Sequence, residues 1–486
     1  MVKKIILILL GLTLFILLIN VYSVFALQKN VKNYLSLNLA KSENEELIEK
    51  SAKKIIKNYQ KINKNLKKII FKDFSKDLDI ILSHFLSEKI NYLVLLQNSD
   101  ELRATGGFTG SYFFLEFSHG IFRLNPIQDI YTVAGQQNNF PQSPAGHYEY
   151  LSEGKGLLIQ DANWWPELAT SAQNIISLWQ NIANDSPYLD KDKKIDGIIF
   201  VNLNFIENLL AWIGPVQLPD YETPINADNF AQVARSDRLN FFAGSREKAN
   251  FLNHSKVAIE SQLSELNNQE KLDFLNLILE NLKNKNIQIY SQNPELQELW
   301  EKLGFGGQLI RKNPSNFYFY NVESNVGINK ANALIDREFH FYQNDKQVQQ
   351  IVIEFINRNE KPITINTNPE LNMANHLTYV NYQRIYLAPE VKIKQIQTLN
   401  DNKELKSVEF STQPHFNQLD QEFLELSFLV SVPEQNRLKV LIDIEQNFIH
   451  DHFEIQKQSG INQIPVYFYL DQKLEENWTL TRDRLE

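Results

Sequence analysis

The chain has 486 residues, which is too many for one ordinary hydrophobic core and predicts two or three domains. Its hydrophobic fraction of 43% and charged fraction of 22% are typical of a globular protein, and a formal net charge of -9 argues against a general nucleic-acid binder. Because there is no cysteine, disulfides, thiolate metal sites and cysteine nucleophiles are excluded.

Residues 1–30 are predicted to form a transmembrane anchor. The run Ile5–Leu27 carries no charge, and an apolar run of roughly 20 residues can cross a bilayer as one helix. A cleavable signal peptide with its cleavage site near Ala26 is the alternative, but the run is longer than the usual signal-peptide core. Since no second span is visible, we expect a single-pass protein of the cell membrane with its bulk outside the cytoplasm.

Residues 31–89 are predicted to form a helical juxtamembrane segment. Apolar residues such as Leu47, Ile55 and Ile62 recur at helical spacing. A separate stripe of lysines, which includes Lys50 and Lys57, fits contact with anionic lipid or an acidic polymer. It fits a solvated helix face as well.

Residues 90–315 are predicted to form an α/β domain, a layered mixed sheet with helices, because strand and helix patterns alternate. The strand candidates are 92–96, 112–117, 156–159 and 197–201, and the helix candidates are 170–182, 205–212, 227–233, 245–266, 271–284 and 294–303.

Residues 316–486 show short alternating strands instead, such as 338–342, 350–355, 382–387, 424–430 and 438–444. Strands at this spacing predict an all-β immunoglobulin-like sandwich.

A polar loop after the first strand is the main candidate site. Asn98, Asp100 and Arg103 follow the strand and precede Gly106 and Gly107. An arginine there can hold a phosphate or carboxylate, and the glycines let backbone N–H groups approach a ligand. An ion pair of Arg103 with Asp100 or Glu101 explains the same residues equally well.

Two other clusters carry the same ambiguity. Trp164 and Trp165 lie beside carboxylates, which fits either a sugar-stacking platform or a plug in the core. Arg235 and Arg246 flank a predicted helix start, which fits either an anion site or surface ion pairs. No histidine spacing indicates zinc, so no metal site is predicted, and the sequence does not identify a cofactor.

These motifs resemble the bacterial domain-of-unknown-function family 4012. The resemblance covers roughly residues 90–450, and the family has no established activity, so it implies an architecture and not a reaction. The residues that carry it are Leu95–Phe108, Asp161–Trp164, Ile195–Gly197, Trp212–Val216, Leu303–Gly307 and Glu323–Lys330.

The chain is also distantly similar to the LytR-CpsA-Psr phosphotransferases, which attach polyprenyl-linked glycans to the cell wall. That similarity implies that Asp100, Arg103, Asp129, Arg235 and Arg246 form an anion site. The chain departs from it where the family has Arg-Ser-Asp and Pro-Arg-Asp, because Phe108–Gly110 and Ile127–Asp129 stand there. Two arginines and one acid of the phosphotransferase site are therefore missing.

The sequence thus leads to two hypotheses. In the first, a membrane-anchored envelope protein binds or transfers a phosphorylated or lipid-linked glycan, such as one on a polyprenyl phosphate. In the second, a non-enzymatic surface adhesion or envelope-assembly protein acts through its β-sandwich. A pocket that brings Asp100, Arg103, Asp129 and Arg246 together favours the first hypothesis.

Overall fold

The computed structural model describes residues 89–485 except 119–120, 153, 220, 237–246, 345–346, 361–376, 447–448 and 451, together with isolated positions between 47 and 85. The predicted anchor Ile5–Leu27 and most of the predicted juxtamembrane segment lie outside the described residues. Within the described part, no helix is both long and apolar enough to cross a bilayer.

The chain folds into two compact units, and each is assembled from separate segments. The α/β unit contains residues 90–96, 109–138 and 176–306, and the β-rich unit contains 97–108, 139–175 and 307–486. The chain leaves the α/β unit for the last time after Gly306 and continues in the β-rich unit from Gly307. This point lies close to the predicted boundary at 315. Whether 90–315 and 316–486 fold on their own stays a prediction.

The α/β unit is built on one sheet with the strand order β3-β2-β1-β5-β6, and β4 pairs with β2. Its strands are β1 (Ile90–Asn98), β2 (Phe108–Ser118), β3 (Ile121–Leu124), β4 (Gln128–Asp129), β5 (Gly197–Asn202) and β6 (Ile287–Ser291). The helices described within residues 89–485 are α1 (Tyr131–Ala134), α2 (His147–Tyr150), α3 (Leu168–Asp185), α4 (Leu203–Ile213), α5 (Phe230–Ser236), α6 (Glu247–Glu265), α7 (Asn268–Lys283) and α8 (Pro294–Lys302).

Helices cover both faces of this sheet, which explains why its strands are almost continuously apolar. On one face of β2, Phe113, Leu115 and Phe117 join the core formed with α4, α6 and α7. On the other face, the ring centroids of Tyr112 and Phe114 lie 5.0 and 5.4 Å from that of Trp179 in α3. The sequence prediction of an α/β layered core is confirmed in this coarse sense.

The strands β1 and β5 begin at the same edge of the sheet. The backbone N–H of Asp196 donates to Asn91 O at 2.8 Å, and the N–H of Asn91 donates to Asp196 Oδ2 at 2.9 Å. The two strands therefore run in the same direction. The helix α4 begins directly at the end of β5, where the Asn202 side chain accepts the N–H of Phe205 as an N-cap.

The β-rich unit contains a five-stranded sheet, β13-β14-β10-β7-β16, and a seven-stranded sheet, β12-β11-β15-β9-β8-β17-β18. Both contribute to one hydrophobic core, in which Phe319 of the first sheet meets Phe339 and Phe341 of the second. The strands are β7 (Phe317–Asn325), β8 (Ile335–Asn344), β9 (Gln347–Asn357), β10 (Tyr379–Leu387), β11 (Lys392–Asn400), β12 (Leu405–Ser407), β13 (Phe410–Phe416), β14 (Glu422–Val432), β15 (Arg437–Glu445), β16 (Phe453–Gln456), β17 (Ile464–Leu470) and β18 (Lys473–Leu480).

A β-rich C-terminal region is therefore confirmed, and its immunoglobulin-like type stays a prediction. The predicted strand at 156–159 is wrong, because Gly154 and Gly156 adopt φ of +76° and +111° and a 3-10 turn follows at Ile159–Asp161. Strand β6 was missed, because its five residues lie between two longer helical patterns.

Candidate functional site

The loop between β1 and β2 is closed by its own backbone. The N–H of Glu101 donates to Asn98 O at 3.1 Å, and the N–H of Phe108 donates to Glu101 O at 2.8 Å. Gly107 has φ of +154°, and a Cβ there would lie 2.4 Å from the Asn98 carbonyl. A Cβ on Gly106 would lie 2.5 Å from Ser459 Oγ. At both positions other atoms of the protein lie where a Cβ would stand, so both positions require glycine.

Arg103 lies in the centre of this loop and is 1% exposed. Its Nε donates to Asp161 Oδ1 at 3.1 Å, and its Nη1 donates to Leu102 O at 3.2 Å and Asn325 O at 2.7 Å. Its Nη2 lies 3.0 Å from Glu101 Oε1 and 3.1 Å from Asp161 Oδ1. Four of the five N–H donors of the guanidinium therefore make hydrogen bonds within the protein, and Asp161 adds a second ion-pair contact.

In this buried site the single positive charge of Arg103 faces two carboxylates, those of Glu101 and Asp161. Burial disfavours the charge of Arg103, but Asp161 and Glu101 together hold its pKa above the ordinary value. Burial raises the pKa of Glu101, and Arg103 opposes that rise. The geometry thus favours the ion-pair alternative with Glu101, and it adds Asp161, which the sequence placed in a separate cluster. Arg103 as a ligand contact stays a prediction.

Asn98 and Asp100 of the loop also make hydrogen bonds within the protein. The Asn98 side chain accepts the N–H of Asp100 at 3.2 Å, and the carbonyl of Asp100 accepts the N–H of Asn332 at 3.1 Å. Asp100 itself is 7% exposed. Asn163 braces the turn from the neighbouring segment, because its Nδ2 donates to Gly107 O at 2.8 Å.

Trp164 packs in a small hydrophobic cluster of the β-rich unit with Leu151 and Val326. It is 1% exposed, and its ring stacks on that of Tyr382 with centroids 5.7 Å apart. The guanidinium of Arg384 lies 4.5 Å from the Trp164 ring centroid, and its Nη2 donates to Trp164 O at 2.7 Å. The core interpretation is thus confirmed for Trp164.

His147 is a buried titratable group that the sequence did not single out. It is fully buried, its Nδ1 lies 3.0 Å from Ser143 Oγ, and its ring meets Trp164 edge-on. Burial lowers the pKa of His147 to about 4, Asp161 opposes this shift, and Arg103 and Arg384 reinforce it. The imidazole is therefore neutral at physiological pH.

In the α/β unit, three buried polar residues lie on the core-facing side of β2 and β4. Thr109, Ser111 and Asp129 are 2%, 1% and 3% exposed, and Ser111 pairs with Asp129 in the strand register. Asp129 Oδ1 accepts the N–H of Tyr131 at 2.9 Å. Thr109 Oγ1, Ser111 Oγ and Asp129 Oδ2 have no hydrogen-bond partner among the described residues. We call these three residues the β2–β4 polar set.

An unpartnered donor lies in the first turn of α4, in the same unit. Asn204 is 6% exposed, and its Nδ2 makes no hydrogen bond to any described residue. This turn follows the end of β5, the end at which α/β sheets commonly bind ligands.

The predicted convergence of Asp100, Arg103, Asp129 and Arg246 stays a prediction. Asp100 and Arg103 belong to the β-rich unit and Asp129 to the α/β unit. Arg246 lies outside the described residues, as does the side chain of Arg235, whose backbone belongs to α5. Asp129 was predicted as a site residue only through the distant family similarity. Thr109 and Ser111 were not predicted, because hydroxyl residues in a strand form no recognisable sequence motif.

Residues 87–238 match the model of a family described as "Protein of unknown function (DUF4012)". The match contains the motifs Leu95–Phe108, Asp161–Trp164 and Trp212–Val216, and it supports the resemblance to that family. No curated protein matches the chain.

Among solved structures, the chain is similar to the X-ray structure of the Lin1025 protein from Listeria innocua. The identity is 12%, the alignment covers 45% of this chain and 79% of that one, and the TM-score is 0.22. A likeness at that score carries no argument. The similarity to LytR-CpsA-Psr phosphotransferases stays a prediction.

Replacing Arg103 should destabilise the β-rich unit. Arg103→Met leaves the carboxylates of Glu101 and Asp161 buried without their cation, which typically costs about 3–5 kcal/mol. Arg103→Lys should restore little, since an ammonium has three donors where the guanidinium makes four hydrogen bonds. Urea unfolding at pH 7 measures the change. The matched control is Arg358→Ala, which breaks an exposed ion pair with Asp336 and should cost less than about 1 kcal/mol. Unchanged unfolding of Arg103→Met would contradict the structural role.

His147 should make the unit sensitive to acid. Its folded pKa of about 4 lies below the unfolded value, so its contribution is present above pH 6.5 and is lost as the pH falls towards 4. The loss over that range is about 3 kcal/mol. The free energy of unfolding of His147→Gln should fall less between pH 7 and 4 than that of the wild type. The matched control is His452→Gln, which replaces an exposed histidine of the same unit. Equal slopes for the wild type and His147→Gln would refute the assignment.

Proposed function

We propose that the protein is a membrane-anchored, extracytoplasmic envelope protein whose α/β unit binds a phosphorylated or lipid-linked glycan. The observation that carries the proposal is the β2–β4 polar set, three buried oxygens without a hydrogen-bond partner among the described residues.

Buried polar groups in folded proteins are almost always hydrogen-bonded. An unsatisfied one costs about 1–3 kcal/mol, so three on adjacent strands are expensive unless a ligand or bound water satisfies them. The set therefore supports a ligand site within this unit. Thr109 and Ser111 can donate, and the Asp129 carboxylate can accept a sugar hydroxyl.

A second unpartnered group of the same unit suits a phosphate as well as a sugar. Asn204 offers an amide donor in the first turn of α4, and helix N-termini favour anions. The Ile5–Leu27 run would keep this unit close to the membrane, where a polyprenyl phosphate resides.

We propose binding without turnover. Phosphoryl transfer depends on arginines and a metal that neutralise the developing charge. Phe108 and Gly110 stand where the phosphotransferases have an arginine and an aspartate, and Arg103 is held by Glu101 and Asp161. Two arginines and one acid of the phosphotransferase site are missing from this sequence, so the residues that remain favour holding a ligand over transferring a phosphoryl group.

Asp129→Asn and Ser111→Ala should weaken glycan-phosphate binding without loss of stability. Asn keeps the oxygen that accepts Tyr131 N–H, and Ala removes a hydroxyl that is unpaired in the free protein. We expect a loss of about 10–100-fold for Asp129→Asn and a smaller loss for Ser111→Ala. Calorimetry with a polyprenyl-phosphate-linked sugar in detergent micelles, with empty micelles as the blank, measures the affinity.

The control for these variants is Asp228→Asn, an exposed position of the same unit, which should bind as the wild type does. Thermal unfolding separates a binding role from a structural one, since Ser111→Ala should melt no lower than the wild type. If the wild type shows no affinity, or if Ser111→Ala melts well below it, the site assignment fails and the assembly hypothesis gains.

The anchor should leave the protein in the membrane fraction, with its C-terminus accessible from outside. The physical reason is the uncharged run Ile5–Leu27, which is long enough to span the hydrocarbon core. Fractionation and protease treatment of intact cells provide the measurement. A soluble mature protein that begins near Leu27, or complete protection from protease, would show that the run is a signal peptide or that the orientation is reversed.

A further inference from the structure

A cluster of one histidine and two glutamates lies on the seven-stranded sheet of the β-rich unit. Glu338 and His340 belong to β8, and Glu354 lies opposite Glu338 on β9. His340 Nε2 is 3.4 Å from Glu338 Oε2 and 4.0 Å from Glu354 Oε2. One ligand atom of each residue lies within 4.8 Å of the others. We call these three residues the β8–β9 cluster.

The two carboxylates need a neighbouring positive charge, because like charges directly opposite in a sheet destabilise it. Glu354 has such neighbours: Arg437 Nη1 lies 3.0 Å from its Oε1, and Lys439 Nζ lies 3.0 Å from its Oε2. Glu338 is less well compensated. Burial and the nearby Glu354 raise the pKa of Glu338.

The imidazole of His340 is oriented by aromatic side chains of β17. Its ring stacks on that of Tyr467 with centroids 4.7 Å apart and an angle of 11°. Its Nδ1 lies 3.3 Å from the hydroxyl of Tyr469. The other nitrogen, Nε2, is buried and has no hydrogen-bond partner among the described residues, although it points towards the carboxylates. A partner on one nitrogen with the other left open is the arrangement of metal-binding histidines.

We propose that Glu338, His340 and Glu354 bind one divalent transition-metal cation of the zinc class. An imidazole nitrogen with two carboxylate oxygens suits zinc, manganese or cobalt better than calcium or magnesium, which prefer oxygen ligands alone. Burial lowers the pKa of His340, with Glu354 opposing and Lys439 reinforcing the shift, which favours the neutral imidazole that a metal requires.

Lys439 is the competitor of the metal in this arrangement. Its ammonium holds Glu354 Oε2, the oxygen that lies within reach of His340 Nε2. Lys439 is 39% exposed and its stem is flexible, so a cation can displace it towards solvent, while Arg437 keeps hold of Oε1. No spacing in the sequence indicates zinc here, because the cluster has a single histidine and its second glutamate, Glu354, belongs to the neighbouring strand.

The test is a zinc titration of the full chain in detergent, with the purification tag removed, in competition with a chromophoric chelator. The wild type should bind one more equivalent of zinc than His340→Gln does. Glu354→Gln should bind at least tenfold more weakly than the wild type. Tyr469→Phe keeps the ring and loses the Nδ1 partner, so it should bind about 10–100-fold more weakly. Lys439→Gln should bind more tightly.

The matched control is His415→Gln, since His415 Nδ1 lies 3.3 Å from Glu425 in the same unit but has one carboxylate instead of two. It should bind zinc as the wild type does. Melting of every variant without metal checks that it is folded. If His340→Gln melts early, His340→Asn takes its place. The proposal is overturned if His340→Gln binds as much zinc as the wild type, if His415→Gln loses the same equivalent, or if Lys439→Gln gains nothing.

Discussion

The buried guanidinium of Arg103 is the interaction on which the β-rich unit depends. It joins the loop after β1, the segment that carries Asp161 and the end of β7 at Asn325. Removing a guanidinium and two carboxylates from water is costly, and the mutual attraction offsets that cost only if every partner is in place. The three segments are therefore tied to one arrangement, because displacing one of them leaves either a buried charge or a buried N–H donor of Arg103 without its partner.

The local parts of this fold follow from local sequence patterns. The alternation in β8, β9 and β15 and the helical spacing in α3 and α7 are visible in short windows, and the structure contains these elements. The contacts of Arg103 are different in kind. Glu101 is a neighbour and was an open alternative, but Asp161 lies 58 positions away and Asn325 lies 222 positions away. No spacing rule connects such residues, so the loop could be recognised as important while its role could not be derived.

The same limit explains the candidate sites. The sequence predicts that Gly106 and Gly107 let a ligand approach, whereas in the structure Ser459 and the Asn98 backbone lie where a Cβ on these glycines would stand. The β2–β4 polar set and the β8–β9 cluster became visible only when strand pairing placed Ser111 beside Asp129 and Glu338 beside Glu354. Arg103 is held by partners within the protein, whereas the three oxygens of the β2–β4 polar set have none among the described residues. Groups without partners are the ones that have hydrogen-bonding capacity left for a ligand.

Residues that contact each other but lie far apart in the sequence are also synthesised at different times on the ribosome. The side chain of Gln458 donates to the carbonyl of Arg103 at 3.1 Å across 355 positions. At about 5–20 residues per second, the loop around Arg103 waits roughly 20–70 s for that partner. During this interval Leu102, Trp164 and the strands that later enclose them expose apolar surface. Nascent chains of this protein should therefore depend on holdase chaperones, and a ribosome that stalls before position 458 should release a product that is prone to degradation.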